Sequence, residues 1–186
     1  MNNKRLLMTY ASIAGLIVLF CLCMIFGGKV SLSMNGFAVD KDDCLYIGKD
    51  SAIEVYKNDE LLRTINPKTS RSYVFTILNG DIILLSTSTN VYTMDLYGNV
   101  LSEKPDEMTK VFNQLQKDKK EFVSVNEEIF RMKNKWGRTY IVNDENVLYK
   151  MPLTDYIVRI LLCGVFVSVW IFVPIIVFFN RKKEIS

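Results

Sequence analysis

The chain has 186 residues, with 23 Lys and Arg against 20 Asp and Glu for a net charge of +3, and its 49% apolar content is that of an ordinary domain. It contains no histidine, which excludes Ser-His-Asp and Cys-His nucleophilic sites, imidazole general bases and histidine metal sites. The average hides two apolar blocks at opposite ends, and what lies between them is enough for one domain but not two.

Residues 6–26 (LLMTYASIAGLIVLFCLCMIF) carry no charge, and neither do residues 160–179 (ILLCGVFVSVWIFVPIIVFF). As helices rising about 1.5 Å per residue, each covers roughly the thickness of a hydrocarbon core, so both read as membrane spans. The first run exceeds the roughly 7–15 apolar residues of a cleaved signal peptide and is followed by no Ala-x-Ala pattern. No small residue precedes Cys21 or Cys23 as a lipoprotein signal requires, so the block reads as an uncleaved signal anchor. Lys4 and Arg5 before the first span, and Arg181, Lys182 and Lys183 after the second, place both termini in the cytoplasm.

The expected organisation is a cytoplasmic tail at 1–5, a transmembrane helix at 6–27, an extracytoplasmic β domain at 28–155, a second transmembrane helix at 156–179 and a tail at 180–186. That is a multi-pass protein of a cell membrane. The tails are too short for a signalling module, so a signal could leave the chain only through helix contacts.

Between the spans the apolar period is mostly two, the mark of half-buried strands. Strands are predicted at 36–39, 44–47, 53–57, 61–65, 73–78, 82–86, 91–95 and 100–102, then at 121–125, 128–133, 139–142 and 147–150. Turn chemistry separates them: Asp42-Asp43, Asn58-Asp59, Asn79-Gly80, Gly98-Asn99, Trp136-Gly137 and Asn143-Asp144. Residues 105–119 differ. Met108, Val111, Phe112 and Leu115 form a helical stripe, with Pro105, Asp106 and Glu107 suited to the start and Lys117, Lys119 and Lys120 to the end. They predict one amphipathic helix packed on the sheets.

A spacing of about 38–40 residues recurs. Asp43-Cys44-Leu45-Tyr46-Ile47, Ile53-Glu54-Val55-Tyr56 and Glu60-Leu61-Leu62 return as Asp81-Ile82-Ile83-Leu84-Leu85, Val91-Tyr92-Thr93-Met94 and Asn99-Val100-Leu101. A weaker third copy holds Glu121-Phe122-Val123-Ser124-Val125, Ile129-Phe130-Arg131-Met132 and Trp136 through Tyr140. The units fall at about 36–66, 72–102 and 105–150.

These residues resemble blades of β-propellers, of the NHL-like and PQQ-like kinds, over about two-thirds of the chain. The resemblance implies four-stranded antiparallel meanders. Closed propellers have at least four blades, so the set is incomplete, leaving either an open curved β layer or blades from several chains closing together. A generic meander with accidental periodicity is the alternative.

Arg131, Lys133 and Lys135 alternate along one predicted strand, with Arg138 across the turn and Trp136 at its tip. They form a candidate contact for an anionic polymer, lipid headgroups or an acidic partner; a solvated outer strand face accounts for the same pattern. Nucleic acid is disfavoured as a partner, because residues 29–155 hold 17 basic and 19 acidic side chains, a net of −2.

Ala11 and Gly15, and Gly164 and Ser168, have the small-xxx-small spacing of helix pairs. Cys21, Cys23 and Cys163 fall at similar depths of the two helices. A disulfide from Cys21 or Cys23 to Cys163, and simple packing of small residues, are both open readings. Arg159 is a charge in the first turn of the second span. Cys44 is alone in the middle, so there is no disulfide framework there; with Lys-, Asn- and Ile-rich usage this points to a bacterial cell surface.

Asp40-x-Asp42-Asp43 resembles a fragment of a calcium loop without its Gly and distal Glu, and reads as a turn. No phosphate loop, paired-carboxylate arrangement or activated Ser is present, so neither cofactor nor metal is expected and the chain reads as a non-enzyme. The expected function is an accessory, scaffold or ligand- and partner-binding subunit of a membrane assembly. Its partners would be the lipid bilayer and either further copies of itself or another membrane protein. The alternatives are a homo-oligomeric two-span channel or transporter, and a cell-surface enzyme relying on Asp, Glu, Lys or Ser.

Overall fold

The computed structural model describes residues 3–26, 34–50, 52–67, 72–106 and 109–184, with side chains described in the terminal helices over 8–24 and 153–169. The chain divides into two units, Met1–Val30 with Pro152–Ser186, and Ser31–Met151.

The first unit holds helices α1 (Asn3–Phe26) and α3 (Leu153–Glu184), which pack on each other. The Tyr10 hydroxyl lies 2.5 Å from Ser168 Oγ and ties the pair. Gly15 and Gly164 are not points of close approach, since a Cβ on either would meet no atom within 4 Å. Ala11 is exposed, Cys21 is buried, Cys23 and Cys163 are exposed, and all four cysteines are free thiols. Arg159 is half-buried, its Nε without a hydrogen-bond partner among the described residues.

The expectation of transmembrane helices at 6–27 and 156–179 is corrected here. Among the described residues no helix is long and apolar enough to cross a membrane. A helical crossing needs about 20 consecutive apolar residues; the described side chains run over 8–24 and 153–169, and the second stretch includes Asp155 and Arg159. The multi-pass membrane location, the cytoplasmic termini and the extracytoplasmic placement of the middle rested on those spans and fall with them.

The second unit is three four-stranded antiparallel sheets, each a meander in chain order. The first contains β1 (Gly36–Val39), β2 (Leu45–Gly48), β3 (Ile53–Lys57) and β4 (Glu60–Ile65). The second contains β5 (Tyr73–Leu78), β6 (Ile82–Thr87), β7 (Asn90–Asp95) and β8 (Val100–Pro105). The third contains β9 (Glu121–Val123), β10 (Ile129–Lys135), β11 (Arg138–Asn143) and β12 (Asn146–Lys150).

The propeller-like label is corrected to what is present among the described residues: three four-stranded antiparallel meanders, as the resemblance implied for the single units, with no closed propeller. β1 packs on both β5 and β9, while the helix α2 (Lys110–Asp118) packs on β5 and β6.

β1 and β2 are buried along their whole length, which suits their nearly unbroken apolar runs GFAV and LYIG. Gly48 ends β2 because no side chain fits: a Cβ there would sit 2.7 Å from the Phe75 ring. Tyr73, fully buried on β5, places its hydroxyl 2.7 Å from the Ala52 carbonyl and 2.8 Å from that of Lys49, and so satisfies the β2–β3 loop. The Lys41 amide donates to the Gly80 carbonyl at 3.1 Å, joining the first sheet to the β5–β6 turn. Ile83 and Leu85 are fully buried on β6; each contributes about 1.5–3 kcal/mol by leaving water.

The helix begins five residues later than its sequence pattern suggests. Pro105 pairs with Asn90 at the end of β8 instead. Asp106 is the reason. Its buried carboxylate accepts the amides of Val111 (3.1 Å) and Phe112 (2.9 Å) and the Ser86 hydroxyl (3.0 Å), satisfying the helix start from the preceding loop. Burial alone would raise the Asp106 pKa, but those hydrogen bonds outweigh it and hold the carboxyl below its usual range. Met108, expected in the apolar stripe, lies outside the described residues.

One irregularity recurs in all three sheets. Between the third and fourth strands the register slips by one residue, leaving Leu62, Leu101 and Leu148 as the extra residue of a β-bulge. All three leucines are exposed on an edge strand. A bulge twists and interrupts an edge, which protects it from pairing with another strand.

In the first sheet the bulge has a second consequence. It places Arg63 opposite Val55, in one row with Tyr46. Arg63 Nη2 then donates to the Tyr46 hydroxyl at 2.8 Å and to the Leu96 carbonyl at 3.2 Å, and the Tyr46 hydroxyl donates to buried Asp40 at 3.0 Å.

Candidate functional site

The third sheet gathers the basic residues singled out in the sequence. Alternation on β10 turns Phe130 toward the core and leaves Arg131, Lys133 and Lys135 exposed on the opposite face. In the β10–β11 register Arg131 lies opposite Val142, Lys133 opposite Tyr140, and Lys135 opposite Arg138. β12 then sets Lys150 opposite Tyr140. A row Lys133–Tyr140–Lys150 therefore crosses three strands, flanked by Arg131 on one side and the Lys135–Arg138 pair on the other.

The electrostatics are those of a cationic face neutralised at one of its members, Arg131. Arg131 Nε pairs with Glu121 of β9 at 2.9 Å, an exposed contact worth at most about 1 kcal/mol. Lys133, Lys135, Arg138 and Lys150 have no ion pair among the described residues. The Lys150 ammonium stands 6.0 Å from the centre of the Tyr140 ring, within cation–π range. Arg138 Nε donates to the Met151 carbonyl at 2.7 Å, which fixes the stem of that guanidinium.

Trp136 sits at the tip of the β10–β11 hairpin with φ 53°, followed by Gly137 at φ 79°. Two successive positive φ values match a type I′ turn, whose first position favours Asn or Asp. A bulky residue in that conformation costs roughly 1–2 kcal/mol, and this one is also 86% exposed. Conformation and solvation both disfavour tryptophan here. A strained, exposed aromatic beside cations is the residue type that anchors protein contacts.

Lys150 and Tyr140 were not singled out in the sequence. Alternation without a bulge would pair Tyr140 with Tyr149; only the slip at Leu148 brings Lys150 across from it. The other predicted site residues lie in the other unit. Ala11, Gly15, Cys21, Cys23, Cys163, Gly164, Ser168 and Arg159 belong to the two-helix unit.

Asp40, Asp42 and Asp43 form a turn. Asp40 Oδ1 accepts the amides of Asp42 and Cys44, both at 2.9 Å, and Oδ2 takes the Tyr46 hydroxyl, so its carboxylate is used internally. Among the described residues no group of three or more Cys, Asp or Glu is placed to hold a metal.

No protein-family model matches the chain, and no curated protein matches it in sequence. Among solved structures it is similar to a protein of unknown function from Bacteroides caccae, at 13% identity and a TM-score of 0.32. The match covers 65% of this chain and 46% of that one, so the chain spans under half the length of this neighbour.

Proposed function

We propose that this chain is a non-catalytic binding subunit whose third sheet docks an anionic partner, with Trp136 as the central contact. The observation that carries the reading is Trp136 itself, exposed and in a left-handed turn just past the Lys135–Arg138 pair that flanks the Lys133–Tyr140–Lys150 row. Aromatic and arginine side chains dominate the energetics of interfaces, and flanking charges steer encounter more than they add affinity. The bulged outer edges support side-chain docking over strand addition as the mode of contact.

The test is titration of the full-length chain with a poly-glutamate peptide at low and high salt. The reading expects saturable binding that weakens with salt and is lost in Lys133→Glu/Lys135→Glu. Binding unchanged by that double substitution contradicts it.

A further inference from the structure

The binding reading leaves open what the partner is, and a feature of the same unit answers it. A cleft of about 340 Å³ lies between the first and third sheets. Its polar lining carries the carboxylates of Asp43, Asp59 and Glu128 against one cation, Lys57, and its apolar lining includes Leu45 and Phe130. The cleft is thus acidic with an apolar component, which complements a cationic hairpin ending in an indole.

The two features cannot meet within one chain. Phe130 is the second residue of β10 and Trp136 follows its end, so the cleft and the hairpin tip stand about 20 Å apart along the strand at 3.3 Å per residue. They sit at opposite ends of the same sheet.

We infer that the partner is a second copy of this chain: the Trp136 hairpin of one copy enters the acidic cleft of the next, with Lys135 and Arg138 facing Asp59 and Glu128. This rests on the third sheet being a contact surface and names its occupant. A contact between two different patches is heterologous, so it propagates head to tail and does not stop at a two-fold dimer. One knob in one cleft is a small interface, which makes the association weak and reversible.

The experiment is sedimentation equilibrium of the full-length chain, in a non-ionic detergent that masks the exposed apolar residues of α1 and α3. Two variants are compared with the parent: Trp136→Asn, which removes the knob and suits the left-handed turn better than tryptophan, and Asp59→Asn/Glu128→Lys, which alters the cleft. The parent should give a mass that rises with concentration past a dimer and falls with added salt. Each variant alone should associate at least about tenfold more weakly. An equimolar mixture of the two should form a dimer and stop there, because one intact knob meets one intact cleft.

A parent that stays monomeric, variants that associate like the parent, or a mixture no more associated than its components overturns the inference. Poly-glutamate binding by the cleft variant separates the two claims. Retained binding with no self-association in the parent removes the second copy as partner and keeps the third-sheet reading, whereas loss of both removes both.

Discussion

Lys150 lies directly across the β11–β12 ladder from Tyr140, its ammonium 6.0 Å from the ring centre, and it does so because β12 carries an extra residue at Leu148. The bulge converts a strand of ordinary alternation into one that adds a cation to the face of β10. Lys150→Glu should weaken binding of a poly-glutamate peptide by about three- to tenfold at low salt, the scale of reversing one exposed charge that faces the peptide. Isothermal titration at two salt concentrations checks this, and the difference should shrink at the higher one.

The Asp106 carboxylate gives a pH-dependent stability. Its folded-state pKa is depressed, so its contribution is present above the ordinary carboxylate range and is lost as pH falls through the folded value. Asp106→Ala should cost about 1–2 kcal/mol at neutral pH, the value of a lost helix cap. Denaturant titration of parent and variant should show the gap closing as pH falls below the ordinary Asp pKa of 3.8.

Alkaline pH acts through different residues. Burial first, and the neighbouring Asp40 charge second, push the Tyr46 hydroxyl above its ordinary value of 10, and burial does the same to Tyr73. Groups that ionise more readily when unfolded withdraw stability as pH rises above 10. Spectrophotometric titration of the nine tyrosines should therefore resolve a late class that appears only with unfolding. Tyr46→Phe should remove one member of that class and cost roughly 1–3 kcal/mol, since it leaves Asp40 and Arg63 short of a partner.

Gly48→Ala forces a Cβ to within 2.7 Å of the buried Phe75 ring. The expected loss is about 1–3 kcal/mol, typical of overpacking. The double variant Gly48→Ala/Phe75→Leu should be more stable than the sum of the single losses, because the shorter side chain opens the space the methyl needs. Thermal denaturation of the four proteins measures the coupling directly.

The strands of the middle unit lie close to where alternation predicts them, because each half-buried strand writes its own face into every second residue. Ile53–Lys57 is an example, with Ile53 and Val55 buried and Glu54 and Tyr56 half-buried. The start of α2 was misread because Pro105 is equally acceptable at a helix start and at the end of an edge strand, and the Ser86–Asp106 contact that decides between them spans two elements. The position of Arg63 beside Tyr46 was illegible for a related reason. A bulge is a property of the strand pair, and nothing in the alternation around Leu62 announces it.

The candidate site was half legible. Arg131, Lys133 and Lys135 share a face by simple alternation, and Trp136-Gly137 is a turn dipeptide. Lys150 needed the bulge at Leu148. The acidic cleft needed the first and third sheets to be brought together, with Asp59 from one and Glu128 from the other. The apolar blocks predicted spans by length and charge alone; among the described residues neither helix meets that requirement.

The most direct test of the binding account is the fluorescence of Trp136 in a full-length chain carrying Trp170→Phe, which leaves it the sole tryptophan. Alone and dilute, its emission should be that of a water-exposed indole, open to a soluble quencher. On titration with poly-glutamate peptide, the emission should shift to the blue and quenching should fall, both reversed by added salt. A spectrum and quenching constant that do not change at saturating peptide would contradict the account.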